Sequence, residues 1–163
     1  MDYWFRLHGA VPGFNTIAAT GPSAATLHYE HQSRVLKDGD LLLIDAGAEY
    51  EWYASDVTRT FPVNGRFSPE QRALYEVCLD AQLKAIAHVQ PGVSFTSVHE
   101  TALRALVEGL VEHGLLHGTV EEELKSDNYR RFYMHRTSHW LGLDVHDCGA
   151  YNVDGASRVL EPG

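Results

Sequence analysis

Cysteine is nearly missing from this sequence: Cys78 and Cys148 are the two in 163 residues, and they form no CxxC pair. That excludes a disulfide framework and a zinc knuckle. The expected state is one buried and one incidental thiol in a reducing compartment. No run of 18 apolar residues occurs, so no transmembrane helix is expected. The start, MDYWFRLHGA, lacks a basic opening followed by an apolar stretch, so no secretory signal is read there and a cytoplasmic location is expected. Basic residues are few, 13 Lys+Arg against 22 Asp+Glu, for a formal charge of −9. A polyanion such as DNA is repelled on average, and no basic stripe offsets this. Short-period repeats and low-complexity tracts are absent too. What remains is ordinary globular material, 44% hydrophobic and 21% charged, of a length that suits one domain. The one excess is histidine, with ten.

Between residues 11 and 40 the chain is rich in Gly, Pro, Ser, Ala and Thr. Asn15-Thr16-Ile17 and Leu27-His28-Tyr29 read as two short strands joined by a loop, and Lys37-Asp38-Gly39-Asp40 as a turn. Leu41-Leu42-Leu43-Ile44 is a continuous apolar run, as in a strand buried on both faces. Val57–Val63 is a β-branched and aromatic strand ending at the Asn64-Gly65 turn. Ser68-Pro69-Glu70-Gln71 opens a helix: serine caps, proline fits the first helical position, and glutamine completes a capping box. Leu74, Val77, Cys78, Ala81 and Ala85 give it one apolar face, and Gln90-Pro91-Gly92 stops it. A second helix is expected from Ser97, boxed with Glu100. Its stripe is Ala102, Ala105, Leu106, Gly109 and Leu110, and Gly114 lies past its end. Glu121-Glu122-Glu123 reads as a solvated acidic face. From Phe132 to Tyr151 the pattern is β and loop. Asp154-Gly155 and Glu161-Pro162-Gly163 are turns. Strands, two helices, then strands make an α+β order.

Two aspartates flank the presumed hairpin. Asp45 closes the Leu41–Ile44 run and Asp56 follows eleven residues later. A turn near Tyr50-Glu51 sets them opposite each other, with Cα atoms about 4.5–5.5 Å apart. Facing carboxylates repel unless one is protonated, Arg59 swings in, or a cation binds between them. Each aspartate taken alone is better explained structurally, Asp45 by a turn hydrogen bond at the strand end and Asp56 by an ion pair with Arg59. The second cluster is His135, His139 and His146, set among Trp140, Leu141 and Leu143. Imidazoles on such an apolar wall can ligate a metal or move a proton. Gly142 leaves room for a close approach. His28 is a fourth candidate.

Ile44-Asp45-Ala46-Gly47, Asp56-Val57-Thr58-Arg59-Thr60-Phe61-Pro62 and His139-Trp140-Leu141-Gly142-Leu143-Asp144-Val145-His146-Asp147 resemble the pita-bread metallopeptidases, nearest to the aminopeptidase P group. The resemblance runs from about Phe5 to Gly163. It implies an α+β pita-bread fold, and a dinuclear site most often filled by two Mn2+ ions. Asp45 resembles a ligand to one metal, Asp56 the carboxylate bridging both, and His139 the imidazole ligand of the other. His28 and His146 look like the catalytic histidines lining the cleft, and His135 like a substrate-binding histidine near the proline ring. The implied reaction removes the first residue of a peptide whose second residue is proline, by attack of hydroxide held between the metals. Trp140 or Leu141 would help to form a proline pocket, or simply pack. Histidines 8, 31, 88, 99, 113 and 117 match no functional position and read as surface or packing residues.

The resemblance also implies two glutamate ligands that fall after Gly163, Glu161 being a turn residue before them. Residues 1–163 are therefore expected to be part of a pita-bread catalytic domain, incomplete at both ends and lacking an N-terminal domain and final strands. This piece alone is expected to be inactive, and open sheet edges invite association. Trp52 stands where relatives often carry glycine in the hairpin turn, and Arg136 where others carry glycine after the histidine. The alternatives are a prolidase restricted to Xaa-Pro dipeptides, a metal-free pita-bread interaction module, and a domain with chance motifs. The expected partner is a peptide with proline second, and neither nucleic acid nor membrane. A homo-oligomer of the full-length form stays open.

Overall fold

The computed structural model describes residues 1–31 and 33–162. They form two compact units, one of residues 1–31 and 33–68 with 139–149, the other of residues 69–138 with 150–162. The final turn, Glu161-Pro162-Gly163, reaches outside the described residues at Gly163.

The first unit opens with a short helix, α1 (Asp2–Leu7), followed by β1 (Val11–Pro12) and β2 (Ile17–Thr20). A 3-10 turn over Gly21–Ala25 follows. Leu27-His28-Tyr29 is not a strand: His28 has φ 50°, which breaks extended backbone. Next come β3 (Leu41–Ala46), β4 (Ala48–Tyr50), β5 (Tyr53–Ala54) and β6 (Val57–Pro62). They make two antiparallel sheets, ordered β1-β4-β5 and β2-β3-β6. The expected strand over 41–44 is present and runs on to Ala46. It is half-buried up to Asp45 rather than buried on both faces. β6 ends at the expected Asn64-Gly65 turn, where the Gly65 amide donates to the Pro62 carbonyl at 2.9 Å.

The hairpin register differs from expectation by one residue of turn. Tyr50 pairs with Tyr53, so Glu51 and Trp52 make the loop, with φ 48° and 74°. Two positive φ values define a type I′ turn, whose twist matches that of the strands. Asp45 therefore pairs with Thr58, and Ala46 with Val57. The aspartates are diagonal, not opposed. Gly47 is where the two sheets meet: a Cβ there would overlap the Ser55 carbonyl. Ser55 Oγ accepts from the Ala48 amide at 2.8 Å and ties the same crossing.

In the second unit, Pro69 does start a helix, α2 (Pro69–His88). Only Ala81 and Ala85 of its expected stripe are buried, and Leu74 is exposed. α3 (Phe95–Glu112) starts earlier than expected. Its cap is Ser94, whose side chain accepts from the Ser97 amide; Ser97 is not the cap. α3 buries Val98, Ala102, Leu103, Ala105, Val107, Gly109 and Leu110. A Cβ on Gly109 would overlap Val77, so glycine lets α2 and α3 approach closely here. Leu103, Val107 and Leu110 form one core with Leu116 and Tyr129.

The acidic run is not simply a solvated face. It opens α4 (Val120–Ser126): Glu122 closes a capping box with Thr119, and Glu121 pairs with Arg104. Glu123 is buried and accepts from the Gly118 amide at 2.8 Å. Among the described residues, 132–151 hold no strand. β7 (Asn152–Val153) and β8 (Ala156–Ser157) form a hairpin about Asp154-Gly155, as that turn signal implied. Both cysteines are exposed, so the expectation of one buried thiol fails.

Candidate metal centre

Asp45 projects from the end of β3. Its partner across the ladder is Thr58, and Asp56 lies two residues along from Thr58. In a pleated sheet that spacing returns to the same face, so the two carboxylates stay close neighbours despite the shifted register. Burial pushes the Asp45 carboxyl up from its ordinary value, and the Asp56 charge adds to the rise. A Thr58 hydrogen bond and the nearby His28 pull the other way. Asp45 Oδ1 is buried without a hydrogen-bond partner among the described residues. A buried acceptor with nothing to accept is costly unless a cation or proton reaches it.

Asp56 Oδ2 lies 3.0 Å from His139 Nε2, with side-chain exposures of 25% and 28%. Arg59 does not take part; its guanidinium donates to the Thr58 carbonyl at 2.8 Å. The other ring nitrogen of His139, Nδ1, is 2.9 Å from the Trp140 carbonyl. A carbonyl only accepts, so Nδ1 carries the hydrogen. In neutral imidazole Nε2 is then a lone pair, and it points at a carboxylate. Two acceptors at that distance need a cation between or upon them: a proton, or a metal ion. His146 completes the group, its ring centroid 4.1 Å from that of His139.

The ligand atoms of Asp56, His139 and His146 all lie within 4.8 Å of one another. Donors bound to one ion at about 2.0–2.2 Å stand no more than about 4.4 Å apart, so a slight contraction would close the set. Carboxylate and imidazole together suit Mn2+, Fe2+ or Zn2+. The donor set and the orphaned Asp45 oxygen thus fit a divalent ion.

An open cleft of about 1060 Å³ lies over these groups, with His28, Asp45, Asp56 and His146 in its wall. The structure therefore brings together five of the six residues singled out in the sequence. The sixth, His135, belongs to the second unit, where it is exposed and its Nδ1 donates to the Arg136 carbonyl at 2.7 Å. The expected apolar wall is looser than its sequence suggests. Leu141 and Leu143 are exposed. Gly142 serves the backbone: its carbonyl accepts from the Ala54 amide at 2.8 Å, and a Cβ would overlap Asp147. The sequence reading missed His99, whose Nδ1 is 2.8 Å from Thr137 Oγ1. A lone histidine in a helix gives no signal of such a bond.

The sequence matches metallopeptidase family M24 over residues 1–163. The chain belongs to that family. Among M24 relatives, the Xaa-Pro aminopeptidases of Haemophilus influenzae and Escherichia coli are 50% and 48% identical to it over 160 residues. Each alignment takes in 98% of this chain, and 37% and 36% of the relatives. The chain thus spans a little over a third of their length. The solved structure of Pseudomonas aeruginosa aminopeptidase PepP superposes with a TM-score of 0.97 at 52% identity, covering 99% of this chain and 37% of that one. Zinc-substituted E. coli aminopeptidase P in complex with product gives 0.94 at 47%, with the same coverage. At that likeness the chain has the α+β pita-bread fold over the matched portion. No described helix is long and apolar enough to cross a membrane.

Proposed function

We propose that this M24 chain serves a metal-dependent aminopeptidase that removes the first residue from peptides with proline second. The observation that carries the metal reading is the His139 Nε2 lone pair facing Asp56 Oδ2 at 3.0 Å. The substrate reading is supported by the relatives, which are Xaa-Pro aminopeptidases. Asp45, Asp56 and His139 are assigned as metal ligands, and the ions as a pair of Mn2+. Residues 1–163 are taken as part of a longer catalytic domain whose two further glutamate ligands follow Gly163.

When bound, a divalent pair supplies Lewis acidity and a water acidified to near neutrality. The protein's own groups do the rest. Asp45 and Asp56 concentrate negative charge on one sheet face and would hold the cations. His139 presents Nε2 because its Nδ1–H is held by the Trp140 carbonyl. His146 and His28, in the cleft wall, are assigned to donate N–H to the oxygen of the scissile carbonyl as it gains charge. One such donor is worth about 3–4 kcal/mol of barrier. His135 is assigned to substrate binding; with its Nδ1–H on a carbonyl, it offers Nε2 to a peptide.

The test gives the native-length protein an X-Pro tripeptide and an X-Pro dipeptide, with Mn2+ and then with chelator. The expected result is release of the first residue from the tripeptide, abolished by chelation. Cleavage of the dipeptide alone would make it a prolidase. No cleavage of either, with metal bound, would favour an interaction module.

A further inference from the structure

His135 is exposed, yet its imidazole is held on two sides. Its Nδ1–H is on the Arg136 carbonyl, and one ring edge meets Tyr133, with centroids 4.8 Å apart and planes at 64°. Tyr133 is itself clamped. Its hydroxyl lies 2.8 Å from Thr137 Oγ1. Its ring stacks on His99 of α3, centroids 6.0 Å apart and planes at 25°. His99 Nδ1 bonds the same Thr137 hydroxyl at 2.8 Å. A threonine hydroxyl has one hydrogen, so it donates to one of these partners and accepts from the other. Tyr133, Thr137 and His99 thus close a ring of contacts anchored on the most buried helix of the unit. Burial pushes the Tyr133 phenol up and His99 down, the latter helped by Arg136, and both shifts favour the neutral form.

We propose that Tyr133, fixed by Thr137 and His99, is a positioning residue for His135 and sets the direction in which His135 Nε2 meets a peptide. This rests on the assignment of His135 to substrate binding. The physical reason is preorganisation. An exposed side chain with rotamer freedom must be ordered when substrate arrives, at about 0.5–1.5 kcal/mol, and the clamp has already ordered it. Tyr133 also packs against the Leu103–Val107 core, so a purely structural role must be separated from a positioning one.

Three variants separate them. Thr137→Val keeps the shape and removes both hydrogen bonds. Tyr133→Phe keeps the ring against His135. Tyr133→Leu removes the ring. In the native-length protein, Thr137→Val and Tyr133→Leu are expected to raise KM for an X-Pro peptide about three- to tenfold, the kcat staying within about twofold. Tyr133→Phe is expected to lie between them and the unaltered protein. An unchanged KM, or a kcat that falls in step with melting temperature, overturns the proposal. A second readout does not depend on turnover: the His135 Cε1–H resonance, displaced by the ring current of Tyr133. Tyr133→Leu is expected to move it to the position of a free histidine while Tyr133→Phe leaves it. One position in all variants overturns the clamp. If the unaltered protein does not cleave X-Pro peptides, the functional reading fails, and the resonance alone decides whether the clamp exists.

Discussion

Asp45, Asp56 and His139 confront acceptors with acceptors, and that conflict is the chemical content of the site. Asp56→Asn replaces one face of it with a neutral amide. Mn2+ affinity of the native-length protein, measured by calorimetry, is expected to fall by more than about tenfold, since even residues behind the ligands cost that much. His99 makes a separate prediction. Burial, with Arg136, His135 and Arg130 against the opposing Glu100, holds its pKa below the ordinary histidine value. A base with a depressed folded pKa contributes stability above its unfolded pKa, about 6.5, and loses it as pH falls through the folded value. Denaturant midpoints are therefore expected to drop on acidification below about pH 6.5, and His99→Gln to flatten part of that drop. Residue identities were the most legible level. Asp45, Asp56, His139 and His146 stood out because carboxylates and imidazoles are chemically costly in apolar runs. The bonds of His99 were not legible, because a sequence does not tell which loop will cross a helix.

At the scale of elements, the glycine and proline signals that lie wholly within the described residues are borne out, and the hairpin turn that has neither is displaced from its expected place. Asn64-Gly65, Asp154-Gly155 and Pro69 are in place. The Glu51-Trp52 loop has no glycine or asparagine to mark its two positive φ values, so the register was set one residue early. Trp52 is held at φ 74° and is mostly exposed, so it carries the backbone cost of that conformation with little packing in return. Trp52→Gly is expected to stabilise the chain by about 1 kcal/mol in thermal unfolding. The α3 cap was misplaced because Ser94 and Ser97 stand one turn apart and either could serve. Ser97 spends its hydroxyl on the Ser94 carbonyl and contacts His88 instead. Ser94→Ala should cost about 1 kcal/mol, and Ser97→Ala less, by the same measurement. The strands expected at 27–29 and 132–151 are irregular backbone. Irregular backbone lets each histidine side chain leave the chain at its own angle, which the fixed pleat of a strand does not.

At the scale of the whole molecule, exposed apolar surface stands out. Leu79, Leu83 and Ile86 repeat at helical spacing on α2 and are all exposed. They form a second stripe, apart from the buried Ala81 and Ala85. A contiguous apolar face of this kind favours association. The 163-residue chain is expected to sediment above monomer mass as concentration rises, and Leu83→Lys to lower that tendency. The first unit is made of two stretches of chain, and residues 69–138 of the second unit run between them. Asp56 and His139 meet across 83 positions of sequence. An ion joining them is therefore a covalent-like crosslink that closes a long loop. By the loop-closure entropy of a disulfide of that span, it would remove about 4–5 kcal/mol of freedom from the unfolded chain. An ion bound there would act as the staple through which an interrupted unit is held shut.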